Sequence, residues 1–206
     1  MVQKGGIGMV EQFMYFWLLW LLVIVVFFFI NNDSLQRGSL VTILLIIACT
    51  DIAMALDYFI IHMNVLFVII YGLFFYARTR RPFFTALYTF ICALFYCGIR
   101  LWEKTTPVLF VIPSFFFIPF CIIILLHFLC TSLSERLAVT FVSVTLGYMM
   151  YTFILFSYNV HNELGEYKLF IHLAIIVLVL FMTHLLKRFF TYIRYIYVKI
   201  MTEHSL

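Results

Sequence analysis

Charge is scarce in this chain. Of its 206 residues, 11% are Asp, Glu, Lys or Arg and 66% are hydrophobic, against roughly 25% charged in a soluble domain. A soluble fold of this length keeps a sizeable surface, and it has nowhere to hide so many Phe, Leu and Ile side chains. The shortage excludes a water-soluble globule and leaves a multi-span membrane protein. Other absences narrow the chemistry. All five cysteines (Cys49, Cys92, Cys97, Cys121, Cys130) lie within apolar runs, so no disulfide framework is implied and each reads as a small apolar side chain. No C-x-x-C-H, H-E-x-x-H or Glu-x-x-His occurs to support a haem or zinc reading of His127 with His184, or of His62, His161 and His172. Phosphate-binding glycine loops, nucleophile elbows and paired catalytic carboxylates are missing, so neither an enzyme nor a cofactor is expected. G-x-x-x-G is absent too, and with it the signal for close glycine-mediated dimers. The run Leu169 to Leu186 has no lysine, which rules out a Schiff-base pigment.

What the chain does have is apolar runs of membrane length. A span needs about 20 residues, within a range of about 17 to 25. Phe13 to Ile30, Leu40 to Ile61, Phe83 to Leu101, Val108 to Cys130, Leu137 to Tyr158 and Leu169 to Leu186 qualify. The first is followed by Asn31-Asn32-Asp33-Ser34 with no cleavage pattern, and reads as a retained span. Val65 to Ala77 has 13 residues, a reach of roughly 20 Å, and crosses only with snorkelling ends or with a hairpin turn inside the membrane. Pro113 and Pro119 should bend or break the run that holds them. The expected fold is an all-α polytopic membrane bundle of about seven transmembrane helices. It forms one integral membrane domain over 1–206, with no repeat or linker.

Orientation follows from Arg78-Thr79-Arg80-Arg81-Pro82, three arginines in five residues between two apolar runs. Cytoplasmic loops collect Lys and Arg, so Arg78, Arg80 and Arg81 determine the topology. With the N-terminus out and the C-terminus in, nine basic residues lie on inward connections and four (Lys4, Arg100, Lys104, Lys168) on outward ones. The net charge of +4 is therefore topological and gives no reason to expect nucleic acid. From Lys187 on, Phe189, Phe190, Ile193, Ile196, Tyr197 and Ile200 share one helical side, and Lys187, Arg188, Thr191, Arg194 and Lys199 the other. Residues 187–206 thus read as a basic amphipathic cytoplasmic tail, laid on anionic lipids at the inner face. The alternative is a last span that simply runs on.

An ionisable group inside a span is costly and marks a functional candidate. Asp51 lies near the middle of Leu40 to Ile61, and on a helical wheel it shares a face with Ala48, Ala55, Tyr58 and His62. Three readings follow: a packing hydrogen bond, a proton or cation site, and a catalytic carboxylate. Asp57 and Arg100 have comparable depth and form a candidate ion pair, the alternative being that each snorkels to the surface. Polar stripes, Thr85, Thr89, Cys92 and Tyr96 in one run and Thr140, Gly147 and Tyr151 in another, mark where helices touch. No metal site is assigned.

The opening Glu11-Gln12-Phe13-Met14-Tyr15-Phe16-Trp17-Leu18-Leu19-Trp20 resembles the start of the YphA family of small membrane proteins from Bacillus and relatives. The Arg37 turn into Leu44-Leu45-Ile46-Ile47-Ala48, and the Leu146-Gly147 step followed by Tyr151, resemble the family as well. The resemblance implies location and topology, namely the plasma membrane of a spore-forming Gram-positive bacterium, and no activity. The expected function is a non-enzymatic membrane interaction or assembly component. The alternative is a small carrier or ligand-binding protein that uses Asp51, Tyr58 and His62, with Asp51 as intramembrane proton or cation site.

Overall fold

The computed structural model describes residues 4–30, 33–50, 52–56, 59–79, 81–106, 113–158 and 167–203. Among these there are seven helices and one two-stranded hairpin. In chain order they are α1 (Lys4–Phe29), α2 (Asp33–Ala48), β1 (Ala53–Leu56), β2 (Phe59–His62), α3 (Met63–Ala77), α4 (Pro82–Thr105), α5 (Ser114–Leu129), α6 (Leu133–Ser157) and α7 (Tyr167–Glu203). Among the described residues, α1, α4, α6 and α7 are long and apolar enough to cross a membrane, and α3 and α5 are shorter apolar helices.

Helix ends follow local chemistry. Pro82 opens α4, where its missing N–H is not needed. Ser132 caps α6 by accepting from the Glu135 amide at 3.2 Å, and the Glu135 carboxylate accepts from the amide of Thr131, one residue before the cap, at 3.3 Å, a variant of the Ser-x-x-Glu cap. Pro113 stands at the N-cap of α5 and Pro119 inside it, so the expected break falls at Pro113. Residues 108–112 of that run lie outside the described residues.

The run Leu40 to Ile61 is not one helix, which corrects the expected second span. α2 stops at Ala48, and β1 pairs antiparallel with β2, Ala53 opposite His62 and Leu56 opposite Phe59. The Thr50 hydroxyl lies 3.0 Å from the Ile46 carbonyl and 2.9 Å from that of Ile47, which satisfies acceptors left over at the helix end. The aromatic and β-branched Phe59-Ile60-Ile61 suits a strand, and the pairing satisfies part of the backbone that the helix gives up, on the facing edges of the two strands. A wheel placing Ala48, Ala55, Tyr58 and His62 on one face therefore does not apply across residue 52. α2 has 16 residues and α3 has 15, so each covers only about 22–24 Å.

The expected amphipathic tail is continuous with the helix before it as far as Glu203. α7 passes Lys187 without interruption and has 37 residues, roughly 55 Å against about 40–45 Å for a bilayer with its headgroups. The helix continues through the basic segment to Glu203.

α6 is the centre of the packing, against α3, α4, α5 and α7, while α1 packs on α7 and α2. Small residues bring the axes together. A Cβ at Gly147 would stand 2.6 Å from the Ala93 carbonyl oxygen on α4, and one at Gly72 on α3 would stand 2.9 Å from the Phe141 Cβ. The polar stripes lie in these contacts: Thr85, Thr89, Cys92 and Tyr96 of α4 are buried, as are Thr140, Ser143, Gly147 and Tyr151 of α6. Many large apolar side chains point outward, with Phe128 85% and Phe83 78% exposed, while Tyr15, Tyr96 and Tyr148 are buried. That inversion suits lipid as the surrounding solvent.

Candidate functional site

Among the described residues, two polar clusters and a cavity bear on chemistry. The first cluster lies where α2 ends. The Tyr15 and Thr50 hydroxyls are 2.8 Å apart, and Tyr15 also donates to the Ile46 carbonyl at 3.3 Å. His62, the N-cap of α3, places Nδ1 3.3 Å from the Thr50 carbonyl. Asn64, buried two residues on, has no partner for Oδ1 among the described residues. Asp51, Asp57 and Tyr58 lie outside the described residues, so of the expected Asp51 constellation only His62 is placed. Tyr15 and Asn64 carried no sequence signal for this neighbourhood, because they come from α1 and from the far side of the hairpin.

The second cluster joins α4, α6 and α7. Arg100 is 3% exposed and its guanidinium meets the Glu103 carboxylate at 2.6 Å. The same guanidinium lies 4.9 Å from the Tyr151 ring centroid and 5.7 Å from that of Tyr148, a cation–π arrangement that helps hold a buried charge. Arg100 therefore takes a partner on its own helix, and the expected Asp57 partner lies outside the described residues. One turn earlier, the Tyr96 hydroxyl is 2.9 Å from Nδ1 of the fully buried His172. His127 is engaged as well. Nδ1 reaches the Ile123 carbonyl at 3.0 Å and Nε2 meets Arg136 Nη1 at 3.2 Å. A donating Nδ1–H with an Nε2 that accepts from Arg136 satisfies both contacts. Among the described residues, no three His, Cys, Asp or Glu side chains gather as metal ligands.

The cavity, of about 380 Å³, lies among α1, α2, α3, α6 and α7. Leu22 and Val26 of α1, Ile43 and Ile46 of α2, Val68 of α3 and Leu173 and Val177 of α7 form its apolar wall. Four hydroxyl side chains also line it, Ser134 at the end where α6 begins and Ser39, Thr42 and Tyr71 deeper in, and these last three are hydrogen-bonded within the protein. Ser39 donates to the Leu35 carbonyl and bonds Tyr71, and Thr42 donates to the Gly38 carbonyl. At one end the lining gathers the last residues of α1 (Phe29, Ile30), the first of α6 (Leu133, Ser134), and Arg78, His184 and Arg188. Arg78 is the C-cap of α3 and its guanidinium lies over the Phe74 ring at 4.2 Å. Arg81 is the exposed N-cap of α4, and Arg80 lies outside the described residues. Of the arginine loop, Arg78 thus lines the cavity. Its convergence with Arg188 joins residues far apart in the chain, which no local spacing reveals.

Residues 11–205 match the family model described as YphA-like integral membrane protein. The chain belongs to this family. Membership makes it an integral membrane protein embedded in lipid, in agreement with its outward-facing phenylalanines. No curated protein and no solved structure matches the chain, so the clusters and cavity of this YphA-like protein must be read on their own chemistry.

Proposed function

We propose that this YphA-like protein is a non-enzymatic ligand-binding protein of the plasma membrane, with seven crossings, its N-terminus outside and its C-terminus inside. The cavity carries the reading. Its volume of about 380 Å³ lies within the roughly 300–1,000 Å³ of small-molecule sites, and five helices contribute to its wall. Binding is favoured over turnover because the lining has no carboxylate among the described residues and its Ser39 and Thr42 hydroxyls are already committed. The orientation rests on the excess of basic residues on inward connections, and it puts Arg78, His184 and Arg188 at the inner leaflet. Filling the cavity tests the reading. Ala174, buried and part of the lining, is changed to Trp, and organic extracts of purified protein are compared by mass spectrometry. Wild type is expected to yield a small molecule near one per chain, and Ala174→Trp to lack it at unchanged thermal stability. Equal extracts from both would reject the cavity as the site.

A second reading, a membrane interaction or assembly component, draws on the far end of α7. Phe189, Phe190, Tyr192 and Ile193 are exposed there beside Lys187 and Arg188. The stripes on α4 and α6 do not serve that role, because they are used up inside the bundle.

A further inference from the structure

We propose that the cavity holds one acyl chain of an anionic membrane lipid, with the headgroup seated between Arg78 and Arg188. The inference rests on the ligand-binding reading above and adds the chemistry of the ligand. Length is the first argument. Along α7 the apolar lining runs from Phe170 to Phe181, a rise of roughly 16 Å, close to half of a hydrocarbon core of about 30 Å. That is the depth of one leaflet, and so the reach of one lipid chain.

The character of the wall is the second argument. A polar ligand needs unclaimed donors or acceptors at depth, and here Ser39, Thr42 and Tyr71 are tied up within the protein. The wall therefore presents methyl, methylene and ring surface to whatever fills it, which suits hydrocarbon.

Charge is the third. His184 and Arg188 stand one turn apart on α7, with Arg78 joining them from the end of α3. Among the described residues no Asp or Glu lines the cavity, and no ion pair claims either arginine. Both arginines are exposed, so their forks are open to a phosphate diester at headgroup level, for which bidentate guanidinium contacts are well suited. Because chain and headgroup are read by different residues, the two parts of the site fail separately.

The full-length protein in detergent is exposed to equimolar phosphatidylglycerol and phosphatidylcholine with matched chains, and retained lipid is read by native mass spectrometry. Wild type is expected to retain phosphatidylglycerol about tenfold over phosphatidylcholine, the scale of one or two charge-assisted bonds. The double variant Arg78→Gln with Arg188→Gln should still retain lipid but choose at near parity, and Arg78→Lys with Arg188→Lys should keep much of the preference. Parity in wild type, or an undiminished preference in the Gln pair, overturns the headgroup assignment and leaves the cavity reading standing. Retention in Ala174→Trp equal to wild type overturns the cavity reading itself. Displacement of phosphatidylglycerol by inorganic phosphate alone, at millimolar concentration, would show an anion site without a chain site and also overturn the proposal.

Discussion

At the scale of single residues, the close approach at Gly147 is the most exacting feature. Its missing Cβ leaves room for the Ala93 carbonyl and the Tyr96 ring, and polar groups buried between α4 and α6 depend on that spacing. Gly147→Ala forces the helices apart and is expected to destabilise by about 1–3 kcal/mol, read as a lower thermal midpoint in detergent. Tyr96→Phe removes the partner of His172 Nδ1. A buried group left unmatched costs about 1–3 kcal/mol, and the double change Tyr96→Phe with His172→Phe should recover part of the loss in a thermal-shift cycle. Asp51 separates two roles by substitution. As a packing group, Asp51→Asn is mild and Asp51→Leu lowers the thermal midpoint. As a proton or cation site, Asp51→Asn leaves the fold intact and abolishes the pH sensitivity of ligand uptake into proteoliposomes.

Individual elements differ in how far the sequence foretold them. Hydropathy located α1, α4, α6 and α7, because a bilayer demands long apolar stretches whose backbone is satisfied within the segment. The stripes through Thr85 and Tyr96, and through Thr140 and Tyr151, correctly marked the α4–α6 contact, since a helix repeats every 3.6 residues and leaves a legible face. Leu40 to Ile61 misled because a continuous apolar run reads alike as helix or strand, and no Gly or Pro interrupts it to announce the turn. The cavity was illegible for another reason. Its mouth joins Arg78 to Arg188 across more than half the chain, and only tertiary packing creates that neighbourhood. The Ser132 cap offers a check on an element. Ser132→Ala leaves the Glu135 amide without its acceptor and should cost about 1 kcal/mol, seen as faster amide hydrogen exchange over the first turn of α6 alone.

On the scale of the whole molecule, α6 is a spine with α3, α4, α5 and α7 around it, while α1 and α2 close one side of the cavity. The polar groups between α4, α6 and α7 specify one bundle geometry; the lining between α1, α2, α3, α6 and α7 leaves space. Sidedness belongs to this scale. A phosphatase fused after Leu206 should be inactive in intact cells, and a fluorescent reporter placed there should be bright, if the C-terminus faces inward. The opposite pair of results would move the Arg78 mouth to the outer leaflet.

The strand pair between α2 and α3 has a bearing on the lipid around it. A ribbon of two strands ends in unpaired amides and carbonyls, which hydrocarbon does not tolerate, so Ala53–Leu56 and Phe59–His62 belong where water or headgroups reach them. The two short helices bring that ribbon nearer the midplane than a full-length helical pair would. With α2 and α3 crossing as proposed, headgroups would have to follow the ribbon downward and the bilayer beside it would thin, at a cost of fractions of a kcal/mol per Å.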